Sequence, residues 1–532
     1  MVLTNLTCVT GVPDCEFDNS VDCAGYNGEY EEPQDLNWLV PLAAIFMCAN
    51  AFGVGANDVA NAWGTSVASG AVPLRTACLL AGFANILGAV TLGYGVSDAI
   101  QKGVAEIDDP DCWACGYCNS RMSIFAVGMF GALIGSSVFL ALATFGSAPV
   151  SGTHAVVGGV VGMTMVGTSG ACLVWGLEGL GGIILSWVLS PVVAGIIGAS
   201  LYWITDKYII RSSAPKQRSL LFMPFFVALS TWVMVFLILL KSKVTSKAMP
   251  IYGHFFVAVA AGIVAYFVAL WARNRYVVNN LPSSSQGLDR DLNPASQMEL
   301  DSKAELQQAS EMSEIGGEEG QAPAATKETA TKEIKDEPCE VDTKDVGNEQ
   351  DLALMKNPDV KDAIYVFRYL IVFNAALESF AHGSNDTGNA TAPFSAVLNT
   401  VNQGIHDCNT PSTPVWVLFV AGCCVALGVN TFGYRVMTTV GEKITVVNFH
   451  RGFCMEFAST AAVVLATLFR MPVSTTHCQI GAVVAVGIVS FGYKQVSFGV
   501  VGQIVLSWII TLPFAGLFAA MMTAIMREGI RT

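Results

Sequence analysis

GVGANDVANAWG occupies residues 53–64 and closes an apolar stretch that opens near Trp38 (WLVPLAAIFMCANAFGVGA). It places Asn57, Asp58 and Asn61 within five residues, among small side chains. In a bilayer a carboxylate costs about 2.5–3.5 kcal/mol on insertion scales, so membrane acids are read as functional by default. The fold turns on whether this stretch lies in a membrane.

The chain has 532 residues, 53% hydrophobic and 13% charged, with a mean hydropathy of +0.52. Soluble domains carry about 25% charged residues. Apolar runs near the ~20 residues that span a bilayer recur along the sequence. The runs are continuous rather than alternating, which excludes a β-barrel. The expected fold class is an all-α polytopic membrane protein. Candidate spans cover 38–56, 76–95, 122–145, 153–169, 172–204, 219–240, 251–272, 362–382, 414–434, 449–469, 477–491 and 498–526, about 12 membrane segments. Two of them, 153–169 and 477–491, are short and rich in glycine, and 172–204 is too long for one simple crossing. Short segments at matching places in two halves point to a transport site.

The net charge of −14 is local. Residues 281–361 hold 19 Asp and Glu against 8 Lys and Arg, leaving 23 and 20 elsewhere. This segment is polar and nearly free of aromatics, a composition that cannot bury enough apolar surface to fold. The expected division is 1–35 an extracellular tail, 36–205 a first transmembrane repeat and 206–276 additional helices. A disordered acidic cytoplasmic loop over 277–361 and a second transmembrane repeat over 362–532 complete it. The basic 206–218 loop (DKYIIRSSAPKQR), with Arg273 and Arg275, sets the cytoplasmic side and puts both termini outside. Lys241, Lys243 and Lys247 count against that orientation.

Thirteen of the fifteen cysteines sort by place. Cys48, Cys78, Cys172, Cys423, Cys424, Cys454 and Cys478 lie in or beside apolar segments and read as small core hydrophobes. Cys8, Cys15 and Cys23 are in the tail; Cys112, Cys115 and Cys118 are in DPDCWACGYCNS. Three ligands without a fourth make a weak zinc motif, and if tail and loop face the same oxidising side, disulfides between them are expected instead. The polar, acidic N-terminus does not read as a signal peptide. Asn5, in NLT, is a glycosylation acceptor if the tail is external.

Four motifs recur in the two halves in the same order. FGVGANDVANA (52–62) matches FAHGSNDTGNA (380–390), and LGAVTLGY (87–94) matches LGVNTFGY (427–434). PVSGTH (149–154) matches PVSTTH (472–477), and LSW recurs at 185–187 and 506–508, followed by Pro191 and Pro513. Four matches in register are a duplication. Seven crossings separate the copies, and an odd number inverts the second, an architecture common among secondary transporters. Asn57-Asp58 and Asn385-Asp386 then meet from opposite sides near the bilayer centre. Gly53, Gly55 and Gly383 are expected to permit helix breaks and close backbone approach, and the free N–H groups of a break attract an anion. Carboxylates and unwound carbonyls suit a small cation, and the hydroxyls of Ser151, Thr153, Ser474, Thr475 and Thr476 suit an oxyanion. No buried Arg or Lys pair presents itself, which points to cation-coupled uptake of a small oxyanion.

GANDVANA and GSNDTGNA, with PVSGTH and PVSTTHC, strongly resemble the inorganic phosphate transporter family, the sodium-phosphate symporters. The resemblance covers the chain outside the tail and the acidic loop. It implies two re-entrant hairpins, a phosphate site flanked by two carboxylates, sodium as co-substrate, and a homodimer. By matching motif it implies a cation-and-phosphate core of Asp58, Asn61, Asp386 and Asn389, with Asn57 and Asn385 beside it. Ser151, Thr153, Ser474, Thr475 and Thr476 become the hairpin-tip phosphate donors, and Glu456 (GFCMEFAS) resembles a family glutamate important for transport. One departure is Asn85 in FANILGAV, where many animal members carry a glutamate. Glu378 is an extra intramembrane acid.

The alternatives differ in class. A proton-coupled symporter and a non-transporting phosphate sensor share the fold. An intramembrane enzyme using Ser151 and His154 lacks a G-x-S-x-G elbow, and a catalytic pair rarely needs an inverted twin. His154 and His477 read first as residues that bond the hairpin base, and Ser186 and Ser507 as packing. The sequon, the acidic loop and the external disulfides favour a eukaryotic plasma membrane over an organelle. No nucleic-acid partner is expected.

Overall fold

The computed structural model describes residues 29–93, 104–107, 109, 111–115, 120–177, 179–241, 245, 248–283, 356–404, 413–468 and 473–532. Asn5, Cys8, Cys15, Cys23 and Cys118 lie outside them, as do most of the tail and the acidic segment. Twelve α-helices of 16 residues or more form the described structure. In chain order these are α1 (Leu39–Ala68), α2 (Leu74–Leu92), α3 (Met122–Phe145), α4 (Gly152–Gly167), α5 (Leu180–Thr205) and α6 (Pro215–Lys241). Then come α7 (Ile251–Ala272), α8 (Pro358–Gln403), α9 (Val415–Glu442), α10 (Phe449–Leu468), α11 (Thr475–Phe491) and α12 (Phe498–Gly529). Nine of the described helical segments are long and apolar enough to cross a membrane. The apolar helices α4 and α11, at 16 and 17 residues, fall short of the ~20 needed for a crossing.

The repeats interlock, four helices of one half packing on helices of the other. α1 lies against α9 and α2 against α8; α4 lies against α12 and α11 against α5. Glycine makes the first two crossings possible. A Cβ on Gly55 would sit 2.1 Å from the Val425 carbonyl oxygen, and one on Gly428 2.0 Å from that of Phe52. The duplicated partners repeat this, Gly383 against Asn85 at 2.1 Å and Gly88 against Phe380 at 2.0 Å. Small residues let membrane helices approach to backbone contact, where dispersion and close packing replace the hydrophobic effect.

This corrects the expected helix breaks. α1 runs unbroken through Gly53 and Gly55, and α8 runs unbroken for 46 residues through Gly383. The glycines serve contact with another helix rather than unwinding of their own. The long candidate 172–204 also resolves differently: Gly170–Cys172 forms a 3₁₀ turn, and α5 begins only at Leu180.

Residues 29–31 meet the C-terminal residues. Tyr30 bridges Arg531, Glu31 N–H donates to the Ile530 carbonyl and Thr532 N–H to that of Glu29. Residues 29–35 of the expected tail are therefore docked on the body. Cys172 is corrected from core hydrophobe to disulfide partner of Cys112, 60 residues away, and Cys115 is also disulfide-bonded. Around this bridge Ala105 pairs with Leu173, and Val174 N–H donates to the Val104 carbonyl.

Candidate functional site

The two short helices point their N-termini at each other. Ser151 caps α4 and Ser474 caps α11, each hydroxyl oxygen accepting from the backbone N–H three residues on, His154 and His477, at 3.3 Å. The serines of PVSGTH and PVSTTH thus cap two matched helix starts. The remaining N–H groups of each first turn have no helical partner, the arrangement that attracts an anion. The His154 and His477 rings stand 4.9 Å apart between the tips. The LSW tryptophans hold them: Trp187 Nε1 donates to His154 Nε2 at 2.9 Å, and Trp508 lies tilted against His477, ring centroids 3.8 Å apart, and donates to the Pro149 carbonyl at 3.1 Å.

The long helices bring the signature residues to these tips. Asn61 Nδ2 donates to Thr476 Oγ1 at 2.9 Å and reaches Thr475 Oγ1 at 3.5 Å, while Thr476 donates to the Val150 carbonyl at 3.0 Å. A Cβ on Gly152 would be 3.3 Å from both Asp58 Oδ2 and Asn389 Nδ2. Asp58, from α1, and Asn389, from α8, therefore meet at the start of α4. The two hairpins differ at one position that matters, since Thr475 stands where the first hairpin has Gly152. Asn61 finds its hydroxyls, whereas Asn389 Nδ2, Asp58 Oδ1 and Asn61 Oδ1 are buried without a hydrogen bond. Buried polar atoms normally have partners. Oxygen acceptors beside an amide donor and free helix N–H groups fit a cation and an oxyanion together.

Asp386 lies in the same small pocket as Asp58, which has room for about one water-sized guest. Asn85, Ser379, His382 and Thr387 supply most of its other polar lining. Asn385 donates to Asp386 Oδ1 at 2.9 Å. His382 Nδ1 lies 2.8 Å from Asp386 Oδ2, and Nε2 lies 3.6 Å from Glu378 Oε1. Glu378, Asn385, Thr460 and Thr475 line a second pocket on the other side of His382.

Other candidates fall into supporting positions. Asn57 spends its amide on the first hairpin, donating to the Ala148 carbonyl at 3.0 Å and accepting from Val150 N–H at 2.9 Å. Glu456, fully buried on α10, accepts from the Thr65 and Ser66 hydroxyls at the far end of α1, the latter at 2.9 Å. Thr153 follows directly in α4 and is half-buried. Ser186 and Ser507 bond back to carbonyls of their own helices. His382 went unassigned in the sequence although FAHGSNDTGNA contains it. Its place four residues before Asp386 is a neighbour's place only if the segment is helical.

Comparison with known proteins defines the class. The phosphate transporter family model matches residues 54–519, and the chain belongs to that family. It is an integral, multi-pass membrane protein of phosphate transport. A phosphate-repressible phosphate permease of Neurospora crassa is 26% identical over 93% of this chain and 98% of its own length. A chloroplastic inorganic phosphate transporter of Arabidopsis thaliana is 28% identical, over 92% of this chain and 72% of its own. A solved sodium-dependent phosphate transporter superposes with a TM-score of 0.69 at 27% identity, covering 92% of this chain and 99% of that one.

Proposed function

We propose that this chain is a sodium-coupled symporter that imports inorganic phosphate by alternating access. The observation that carries the reading is the cluster at Gly152, where Asp58 and Asn389 face the start of a half-helix with polar atoms unpaired. Sodium enters first at Asp58 and Asp386 and lowers the cost of their buried charge. Phosphate then binds between the hairpin tips, on the free N–H groups and on the hydroxyls of Ser151, Thr153, Ser474, Thr475 and Thr476. Asn61 and Asn389 bridge the two ligands. Occupancy neutralises the site, and one repeat bundle moves against the other. The name of the solved relative, which is sodium-dependent, supports the choice of ion.

A proton-coupled reading has one observation in its favour, the contact of His382 with Asp386. Labelled phosphate uptake into proteoliposomes separates the two, under a sodium gradient alone and then a proton gradient alone. Stimulation by sodium alone is expected. Stimulation by protons alone transfers coupling to the second reading, and uptake under neither supports a sensor. We further propose a plasma-membrane homodimer, for which crosslinking and surface labelling in cells are the checks.

A further inference from the structure

Two short stretches outside the candidate site share one pattern. WITDKY (203–208) closes α5 and WARNRY (271–276) closes α7, each a Trp followed four residues on by Lys or Arg and then Tyr. Both run into a π-helical turn, Asp206–Ile210 and Arg273–Val277. In an α-helix residues five apart point away from each other, and the wider π turn brings them together. Trp203 and Tyr208 accordingly meet edge to face at 6.3 Å, and Trp271 and Tyr276 at 5.6 Å. A cation sits at each pair: Lys207 Nζ is 4.8 Å from the Trp203 ring, and the Arg275 guanidinium is 5.7 Å from the Tyr276 ring. All four rings are exposed, by 50% to 61%.

The clusters share one end of the bundle, joined by the start of α6. Arg218 donates to the Tyr208 carbonyl at 2.8 Å and Arg273 to that of Leu220 at 3.1 Å. Nearby acids are already committed, Asp206 to Arg211 and the buried Asp362 to Lys216. Among the described residues, Lys207, Arg218, Arg273 and Arg275 have no carboxylate partner. Helix C-termini attract cations through their dipole, which accounts for charge but not for an exposed Trp–Tyr pair beside each one. Exposed Trp and Tyr sit at headgroup level in a bilayer.

We propose that the two clusters form one site for the phosphate-bearing headgroup of an anionic phospholipid. Lys207, Arg218, Arg273 and Arg275 take the phosphate, and Trp203, Tyr208, Trp271 and Tyr276 rest at the acyl boundary. The rings select a lipid over free phosphate, because only a lipid presents an apolar tail beside its anion.

The test is native mass spectrometry of the full chain released from nanodiscs of mixed phosphatidylglycerol and phosphatidylcholine. The wild type should retain phosphatidylglycerol in preference. The K207Q/R275Q double variant should lose about fivefold in that preference for each cation removed, and K207R/R275K should keep it. Equal retention of both lipids by the wild type would overturn the proposal. So would unchanged preference in K207Q/R275Q, or displacement of the lipid by inorganic phosphate, which would make this a free-anion site.

Discussion

Asn61 of the first repeat donates its side-chain amide to Thr476 at the tip of the second hairpin, 2.9 Å away, and this bond ties the halves together at the site. Thr476 passes the link on to the Val150 carbonyl of the first hairpin at 3.0 Å. Thr476→Val keeps the shape but leaves the Val150 carbonyl unpaired, at about 1–3 kcal/mol, and the Asn61 amide with only its 3.5 Å contact to Thr475. Phosphate uptake should fall at least tenfold, and Thr476→Ser should restore most of it. Wild-type rates in Thr476→Val would show that the link is dispensable.

Gly152→Ala tests where the ligands bind. The new methyl would lie 3.3 Å from Asp58 Oδ2, Val54 Cγ2 and the unpaired Asn389 Nδ2, filling the space which that amide faces. We predict a large rise in the KM for phosphate with normal membrane expression. An unchanged KM would place phosphate elsewhere.

Gly428→Val should act on stability rather than on ligand affinity. Its Cβ would lie 2.0 Å from the Phe52 carbonyl oxygen, so α1 and α9 must separate. Overpacking of this kind costs about 1–3 kcal/mol or more. Thermal unfolding in detergent should shift down clearly. Gly499→Ala, where nothing lies within 4 Å, serves as the comparison and should melt like the wild type.

The Cys112–Cys172 bridge closes a 60-residue separation, for which the chain-entropy relation gives an upper bound of about 4 kcal/mol. Cys112→Ser should lower the melting temperature while leaving the KM for phosphate within about twofold. Loss of transport at full stability would instead tie the loop to the transport cycle.

The sequence made the site's chemistry legible because the signature is written twice. Two Asn-Asp pairs and two Pro-Val-Ser starts carry the duplication without any knowledge of contacts. Which of its two expected roles glycine takes at Gly55 and Gly383 was not legible, because a break and a close crossing need the same residue. Only the partner decides, and Val425 and Asn85 are hundreds of residues away. Cys172 was misread for the same reason, its bonding partner being distant along the chain. His382 was hidden by the expectation of unwound backbone, under which a four-residue spacing carries no meaning. The difference between PVSGTH and PVSTTH is visible in the letters. Its consequence, one asparagine's Nδ2 paired and the other's not, depends on Asn61 and Asn389 reaching opposite tips.

The most direct test of the account is sodium-driven uptake of labelled phosphate by Asp58→Asn and Asp386→Asn in proteoliposomes. Each variant is first shown to be folded by its melting curve. Both should lose sodium-driven uptake while melting within a few degrees of the wild type. Near-normal sodium-driven uptake in either one would contradict a site in which these two carboxylates hold the coupling ion.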